Sequence, residues 1–301
     1  MHFEYIEEQL PDVPILYLNA SSLKVTACRR HYGMMVNGYQ GVDGDTTQRD
    51  IGSAMHKFAE LFTRTGDHAE SVLRASQAWP QVSRQVIIAA AARRQDVVLP
   101  PPIVLEGEPL VEIKFSIPWF LVTEAGQPVC QIILCGTMDH LGHDGAVRLI
   151  DYKSTAYAVV KYALDKYKHE TQFMFYMAVL RKFGHRMLPL HLHNLIVEGK
   201  FSSQVCIIQT SAKEPRWSLG PKSYMTEDQY NLYFQMLEDL LPTLVRSFRD
   251  SSFATPDGML RNACQYCGYK SYCYAKDSHE AGLALASFKI EPYNPIKERT
   301  S

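Results

Sequence analysis

The N-terminal third of the chain carries apolar positions at helical spacing. Met55, Phe58, Ala59 and Phe62 form one stripe, which predicts an amphipathic helix from Gly52 to Phe62. The other expected helices are one capped by Ser21-Ser22 that runs through Leu23, Ala27 and Arg30 and carries Cys28 in its first turns, one near 68–78 and one near 81–95. Pro100-Pro101-Pro102 then ends the helical region, because proline cannot continue a helix.

Beyond these prolines the apolar positions alternate. Val111, Ile113, Phe115 and Ile117 alternate with polar residues, which predicts a half-buried strand. The remaining expected elements are strands at 129–141 and 146–153 around a turn at Gly142-His143-Asp144-Gly145, helices from about 156 to 183, short strands near 190–198 and 204–209, and a long helix to about 249 opened by the capping box Thr226-Glu227-Asp228-Gln229. This order predicts an α/β fold with a small central sheet flanked by helices.

Composition narrows the class of protein. Hydrophobic residues make up 46% of the chain and charged residues 21%, as in ordinary globular proteins. The sequence has no apolar run of the roughly 18 residues that a membrane helix needs, and its acidic start lacks the features of a signal peptide. We therefore expect a cytoplasmic protein without a membrane partner.

Charge argues against a surface that binds nucleic acid everywhere. The chain has 31 basic and 32 acidic residues, a net charge of −1. A local basic groove remains compatible with this balance, although the ordinary interpretation of any one short basic pair is a solvated helix face. The residues available for such a groove are Arg29-Arg30, Arg93-Arg94, Lys166, Lys168 and Arg181-Lys182.

Two acidic residues and a lysine lie on the predicted hairpin. Asp151 and Lys153 are two positions apart on one strand, so their side chains project from the same face. A turn centred on Asp144 pairs Asp139 with Leu149, and Asp139 and Asp151 become diagonal neighbours roughly 7 Å apart. That separation lets both carboxylates hold one cation.

A bound cation explains why a strand would carry these acids. Two bare carboxylates at this distance repel by roughly 2 kcal/mol at an effective dielectric near 20, and aspartate is a poor strand former. Lys153 beside them can orient an attacking water and stabilise the charge that develops on a phosphate. The alternative is a surface hairpin in which Lys153 forms a salt bridge with Asp139 or Asp151.

The wider motif order resembles the RecB-like branch of the PD-(D/E)XK nuclease superfamily. Gly52-Ser53-Ala54-Met55-His56 resembles its histidine motif, and the Gln172 to Tyr176 spacing resembles its Q-x-x-x-Y motif. The full order is His56, Asp139, Asp151, Lys153, Gln172 and Tyr176. The chain departs from the pattern in two places, with Met138 where the superfamily has proline and Asp151 where glutamate is usual.

The resemblance implies a restriction-endonuclease-like core with a central mixed sheet, and it implies roles for these residues. His56, Asp139 and Asp151 would bind Mg²⁺ or Mn²⁺ with the backbone carbonyl of Tyr152, and oxygen ligands suit those cations. Asp139, Asp151 and Lys153 would be catalytic. Gln172 and Tyr176 would contact phosphate or steady the site, although Tyr176 can equally be a core residue. Glu112, on the preceding strand, can join the site or face solvent.

Seven cysteines, an odd number, fit poorly with a fully disulfide-bonded protein. Cys264, Cys267 and Cys273 have the spacing C-x2-C-x5-C and need a fourth ligand, for which Cys28 is the candidate. This arrangement resembles the iron–sulfur RecB-like nucleases, including the CRISPR-associated Cas-four exonucleases and the AddB nuclease domain, and implies a structural 4Fe–4S cluster. Arg29 stands where those proteins usually have proline. Zinc is the alternative metal. The core cysteines are expected to be Cys130, Cys135 and Cys206.

These features lead to a functional hypothesis. We expect one nuclease domain over 1–301, with N-terminal helices (20–63), a helical insertion (64–105), a core (106–210) and a C-terminal helix with the cysteines (226–275). It would hydrolyse DNA phosphodiester bonds as an exonuclease on single strands or ends, with partners in recombination, repair or CRISPR adaptation. The alternatives are a non-catalytic DNA-end-binding or adaptor protein and a zinc-stapled scaffold.

Overall fold

The structure is a computed structural model that describes residues 1–26, 28–40, 47–156, 171–211, 215–249 and 267–295. Two compact units divide the chain. The first comprises Met1–Gly44, Phe115–Gly136 and Asn231–Lys297, and the second comprises Asp45–Lys114 and Thr137–Tyr230. The expectation of a single domain over 1–301 stays a prediction.

The elements follow one another in a mixed α/β order. The strands are β1 (His2–Tyr5), β2 (Ile15–Leu18), β3 (Tyr39–Gln40), β4 (Val104–Leu105), β5 (Glu108–Pro109), β6 (Val111–Glu124), β7 (Gln127–His143), β8 (Val147–Thr155), β9 (Phe201–Gln209), β10 (Arg216–Leu219) and β11 (Lys289–Ile290). The helices are α1 (Ala20–Val25), α2 (Arg29–Val36), α3 (Thr47–Thr65), α4 (His68–Ala78), α5 (Arg84–Ala91), α6 (Thr171–Phe183), α7 (Leu190–Val197), α8 (Glu227–Arg249), α9 (Lys270–Cys273) and α10 (Ser278–Ser287). The expected α/β class is confirmed.

In the first unit, the two N-terminal strands pair with the long strands β6 and β7. Strand β1 runs antiparallel to β6, with His2 opposite Thr123. Strand β2 runs parallel to β7, with Ile15 opposite Gln131. The buried Gln131 amide accepts a hydrogen bond from the Leu10 backbone N–H at 2.9 Å, which ties the preceding loop to the strand.

The predicted single helix beginning at Ser21-Ser22 is wrong, because two short helices stand there. Asn19 caps α1 by accepting the Ser22 backbone N–H at 2.7 Å. The Thr26 hydroxyl donates to the Leu23 carbonyl at 2.7 Å, a local bond that competes with the continuing helix. Cys28 therefore lies at the N-cap of α2, in extended conformation, and not within a helical turn.

The second unit carries a mixed sheet. Strands β7 and β8 are antiparallel, β8 and β9 are parallel, and β9 and β10 are antiparallel. Strand β9 is buried along its whole length, as the central strand of a sheet covered on both faces should be. The sheet thereby places β8 between two neighbours, with its side chains facing packed layers.

Helices α3, α4 and α5 pack against this sheet through one apolar core. Its members include Met55, Phe58, Ile87, Ile150, Tyr152 and Trp217. The Trp217 indole N–H donates to the Ala90 carbonyl at 2.8 Å, which satisfies its polar atom inside the core. The helical predictions for 52–62, 68–78 and most of 81–95 are confirmed by α3, α4 and α5.

One predicted strand is a helix. The alternation of Leu190, His191, Leu192 and His193 predicts an extended segment over 190–198, yet Leu190–Val197 is helical. Leu192 and Ile196, one turn apart, are its buried positions, whereas Leu190 is 69% exposed. The buried positions are therefore spaced as in a helix. Two apolar–polar alternations in the sequence are too few to distinguish a strand from a helix.

The capping box at Thr226 opens α8 as predicted. The Gln229 backbone N–H donates to the Thr226 hydroxyl at 3.3 Å, and the Thr226 N–H donates to the Gln229 side chain at 2.8 Å. In the described part of the chain, no helix combines the length and the apolar character needed to span a membrane. The expected helical stretch from 156 to 170 falls, from 157 onward, outside the described residues.

Candidate metal centre

Helix α3 brings His56 to the sheet. A Cβ atom at Gly52 would lie 2.7 Å from the Ser154 hydroxyl on β8, so a larger residue fits at this approach only if the serine side chain rotates. His56 follows Gly52 by four residues and lies about one turn farther along the same face. In the Gly-x-x-x-His segment, the glycine lies where α3 contacts β8, and the histidine lies one turn on, beside Asp139.

The hairpin register differs from the prediction by two residues. His140 pairs with Ile150 and His143 with Val147, so the turn centres on Gly145 and not on Asp144. Gly145 has a φ of 93°, in the left-handed region that glycine adopts readily. Because the shift is by two, odd-numbered residues still face odd-numbered residues, and Asp139 comes opposite Asp151 instead of diagonal to it.

The backbone ladder between β7 and β8 ends at His140 and Ile150. At the next position, the Tyr152 backbone N–H donates to Asp139 Oδ2 at 2.6 Å. The Asp139 carboxylate thereby takes the place of a strand carbonyl while remaining 8% exposed. This bond fixes Asp139 to the strand that carries Asp151 and Lys153.

Three side chains converge beside this point. His56 Nδ1 lies 3.5 Å from Asp139 Oδ2 and 3.9 Å from Glu112 Oε1. One ligand atom from each of the three residues lies within 4.8 Å of the other two. Ligands on opposite sides of a Mg²⁺ ion are about 4.2 Å apart, so small movements let all three residues hold one divalent cation.

Asp151, Lys153 and Gln172 form a second cluster. Lys153 Nζ lies 2.5 Å from Asp151 Oδ2, and the Gln172 amide donates to Asp151 Oδ1 at 2.7 Å. Lys153 in turn donates to Gln172 Oε1 at 3.0 Å. The glutamine therefore bridges the acid and the base of the Asp-x-Lys pair and holds both.

Electrostatics link the two clusters. Burial raises the pKa of Asp151 to about 6, with the Lys153 charge opposing that shift and the Asp139 charge adding to it. Burial also disfavours ionised Asp139, but His56 and Lys153 outweigh it and lower the pKa of Asp139. Since Lys153 lowers the pKa of both carboxylates and Asp139 raises the pKa of Asp151, the clusters form one continuous site.

The acids around His56 favour its protonated form. Burial alone lowers the pKa of His56, but the carboxylates of Asp139 and Glu112 outweigh it and raise that pKa to about 10. Burial raises the pKa of Glu112, partly offset by its hydrogen bond with His56. A protonated His56 would therefore place its positive charge next to the carboxylates of Asp139 and Glu112, where a bound cation would also lie.

Tyr152 and Tyr176 lie with their rings in the interior. The Tyr152 ring packs edge-on against His56 at 5.9 Å between centroids and belongs to the core. Tyr176 is buried beside Gln172, whose hydrogen bond to the Tyr176 side chain partly opposes the rise in its pKa that burial causes. The Tyr152 carbonyl as a metal ligand and Tyr176 as a phosphate contact stay predictions.

Glu112 is the residue that the sequence pattern leaves undecided between the site and solvent. Its φ of 51° is left-handed, unusual for a residue with a side chain, and its carboxylate points to His56. The sequence signal is an acidic residue at a polar position of the strand before the hairpin. Alternation assigns such a position to the non-core side, but it cannot tell solvent from a site.

Cys28, Cys267 and Cys273, three of the four proposed cluster ligands, lie in the first unit. Cys28 is buried, Cys267 Sγ lies 3.8 Å from His31 Nδ1, and Cys273 ends α9. Cys264 lies outside the described residues. Within the residues that the structure describes, His56, Glu112 and Asp139 form the one metal-type group of three, so the four-cysteine site stays a prediction. The three cysteines expected in the core are fully buried, as predicted: Cys130, Cys135 and Cys206.

Several of the basic residues considered for a groove have structural partners, Arg94 and Arg181 among them. The Arg94 guanidinium lies over the Trp217 ring at 5.4 Å from its centroid. Arg181 forms an ion pair with Glu227 and donates to the Ile196 carbonyl. Lys166 and Lys168 lie outside the described residues.

The mixed sheet with flanking helices is consistent with a restriction-endonuclease-like core. The chain belongs to the PD-(D/E)XK nuclease superfamily, whose family model matches residues 18–274. Nucleases of this superfamily use divalent metals, which agrees with an acidic site built around His56, Glu112 and Asp139.

Individual proteins of known sequence or structure add little beyond the fold. No curated protein sequence matches the chain significantly. The fold is similar to the crystal structure of a provisionally assigned exonuclease from Eubacterium rectale, with a TM-score of 0.50, 13% identity, and coverage of 83% of this chain and 87% of that one. The protein SSO0001 matches with a TM-score of 0.25, 12% identity, and coverage of 79% and 90%, a similarity too low to inform the fold.

The close approach of α3 to β8 makes Gly52 a stability determinant. Gly52→Ala should be about 1 kcal/mol less stable than Gly282→Ala, because both changes gain helix propensity but only the methyl group at position 52 forces the Ser154 side chain to rotate. Gly282→Ala is the matched control, since Gly282 is also helical and a Cβ atom there would meet nothing within 4 Å. Urea unfolding of both variants measures the difference. Equal stability of the two would contradict the steric role of Gly52.

Metal binding should displace the proton of His56. With a pKa of about 10, the imidazole is protonated at pH 7.5 and must become neutral to bind Mn²⁺. We expect release of about one proton per Mn²⁺ and an affinity that rises about tenfold per pH unit from pH 7 to 9, then levels above the pKa. Calorimetry in buffers of different ionisation enthalpy measures the proton count. His56→Gln should release fewer protons than the wild type, and a wild-type protein that releases none would refute His56 as a metal ligand.

Proposed function

We propose that this chain is a RecB-like, metal-dependent DNA exonuclease that hydrolyses phosphodiester bonds in single strands or at DNA ends. The observation that carries the proposal is the continuous site in which His56, Glu112 and Asp139 adjoin the Asp151–Lys153 pair, in a chain of the PD-(D/E)XK superfamily. Membership of the superfamily supports nuclease activity. The DNA substrate and the exonuclease mode are part of the proposal.

His56, Asp139 and Asp151 would hold Mg²⁺ or Mn²⁺, with Glu112 as a further ligand and the Tyr152 carbonyl beside them. A mixed set of carboxylates and one imidazole suits Mn²⁺ as well as Mg²⁺. When bound, the cation supplies Lewis-acid polarisation of the phosphate and a more acidic water. The short Tyr152 N–H bond to Asp139 supports this assignment, because it aims one carboxylate at the site without a metal.

Lys153 would act on the reacting groups directly. Hydrolysis adds one water across the phosphodiester: the water oxygen bonds to phosphorus, one P–O ester bond breaks, and the water proton ends on the leaving alcohol. Negative charge grows on the phosphate in this step. The Lys153 ammonium, which contacts Asp151 and Gln172, would orient the water and offset that charge.

Gln172 and Tyr176 would steady the site. The two hydrogen bonds of Gln172 to Asp151 and Lys153 occupy both ends of its amide, which favours a positioning role over direct phosphate contact. Tyr176, one helical turn later and buried, packs behind the glutamine. This division leaves the phosphate to Lys153 and the metal.

We also propose a 4Fe–4S cluster on Cys28, Cys264, Cys267 and Cys273, with zinc as the alternative metal. Cys28 and the two described C-terminal cysteines belong to the same unit although about 240 residues separate them in sequence. A cluster there would restrict the unfolded chain by closing a long loop. A cytoplasmic protein acting with partners in recombination, repair or CRISPR adaptation fits this class.

The nuclease proposal predicts degradation of single-stranded DNA with Mg²⁺ or Mn²⁺, abolished by EDTA. Lys153→Ala should fold normally and lose about 100-fold or more of the rate, because a charge stabiliser is removed. Lys200→Ala is the control, since Lys200 is an exposed lysine paired with Glu198. Labelled substrates with free or blocked ends report rate and mode together. Full activity in Lys153→Ala would remove this residue from the mechanism, and cation-independent DNA binding without cleavage would favour an end-binding protein.

The cluster proposal predicts a brown protein that carries iron and sulfide after anaerobic purification. Cys28→Ala should lose both and lose stability, because the site joins distant parts of the chain. Cys130→Ala is the matched control: its buried thiol lies in the core, so stability should fall without loss of iron. Absorbance and metal analysis decide the outcome. A colourless anaerobic preparation with one zinc per chain would replace iron–sulfur by zinc and leave the nuclease proposal standing.

A further inference from the structure

Glu112 needs an external restraint to reach the metal centre. Its φ of 51° lies in the left-handed region, which residues with a Cβ seldom adopt. The neighbouring backbone is regular, since the Leu110 carbonyl accepts the Leu141 N–H at 2.9 Å and Val111 begins β6. The carboxylate therefore turns toward His56 because of one irregular residue at the start of a long strand.

Arg64 provides such a restraint. Its Nη2 donates to the Val111 carbonyl at 3.0 Å, and that carbonyl belongs to the peptide bond entering Glu112. The same guanidinium contacts Glu108 Oε2 through Nη1 at 3.0 Å and Glu60 Oε1 through Nε at 3.3 Å. Two carboxylates thus hold the fork in place while it orients the peptide plane that leads into Glu112.

The position of Arg64 on α3 connects this contact to the metal centre. Arg64 follows His56 by eight residues, a little over two turns, so the two side chains leave the helix about 80° apart around its axis. One helix therefore supplies His56 directly and controls Glu112 through the Val111 carbonyl. The side chains of Val111 and Leu110 take no part, because the contact is made to the backbone.

We propose that Arg64 is a positioning residue of the metal centre, which holds Glu112 in its ligand-presenting conformation through the Val111 carbonyl. The inference rests on the proposed metal-dependent function. Lysine cannot replace this arginine, because a single ammonium on a flexible stem lacks the planar fork that contacts two carboxylates and a carbonyl together. The effect should appear in metal binding before any DNA is present.

The test is a titration of the full chain with Mn²⁺ in the absence of DNA, in which electron paramagnetic resonance measures the free Mn²⁺ at each step. Arg64→Met and Arg64→Lys should each weaken Mn²⁺ binding by roughly 10- to 100-fold, the range expected when an outer-shell partner of a ligand is lost. Glu112→Ala should weaken it similarly. In the Glu112→Ala background, adding Arg64→Met should change the affinity by less than about twofold, since the residue through which Arg64 acts is gone.

Two controls separate positioning from general stability. Arg93→Met removes an exposed ion pair with Asp96, and Lys200→Met removes an exposed ion pair with Glu198. Both should keep wild-type Mn²⁺ affinity. Thermal melting of every variant reports folding, and Arg64→Lys, which keeps the charge, provides a folded variant if Arg64→Met does not fold.

The outcomes are distinct. Coupling between Arg64 and Glu112, with unchanged controls, supports the proposal. Wild-type affinity in Arg64→Lys, or additive losses in the double variant, overturns it while the metal centre stands. A wild-type chain that binds no Mn²⁺ overturns the metal-dependent function, and the positioning role falls with it.

Discussion

The bond from the Tyr152 backbone N–H to the Asp139 carboxylate determines the geometry of the site. It forms where the β7–β8 ladder ends, so a side chain completes a backbone pairing that the strands can no longer make. A buried carboxylate without partners would be costly, and this bond supplies one at 2.6 Å. Because the same strand continues into Lys153, the position of Asp139 relative to the Asp-x-Lys pair is set by backbone and not by flexible side chains.

Much of this arrangement is predictable from the sequence, because the face of a strand to which a side chain belongs does not change when the register shifts by two residues. Alternation locates β6, β7 and β8, and the strand period of two places Asp139, Asp151 and Lys153 on corresponding positions. The predicted turn is one residue off centre, since Gly145 and not Asp144 occupies the middle, yet a register shift of two preserves which side chains face each other. The strand predicted near 190–198 fails for the opposite reason: four alternating residues are compatible with both periods, and burial of Leu192 and Ile196 decides for helix.

Other features depend on contacts that no local pattern encodes. The left-handed backbone of Glu112 and the bridging by Gln172 arise from residues that are distant in sequence. The histidine motif can be recognised, but the Ser154 hydroxyl that its glycine approaches lies on another element. The break between α1 and α2 similarly depends on how the Thr26 hydroxyl bonds locally, where helix propensity alone favours continuation.

Charge balance explains how such a site stays folded before a cation binds. Glu112, Asp139 and Asp151 bring three carboxylates together, and protonated His56 with Lys153 supply two positive charges, which leaves one negative charge when all three acids are ionised. A divalent cation that replaces one proton adds a single net positive charge and brings the sum to zero. Before a cation binds, a proton on His56 therefore substitutes for part of the metal charge beside the carboxylates of Glu112 and Asp139.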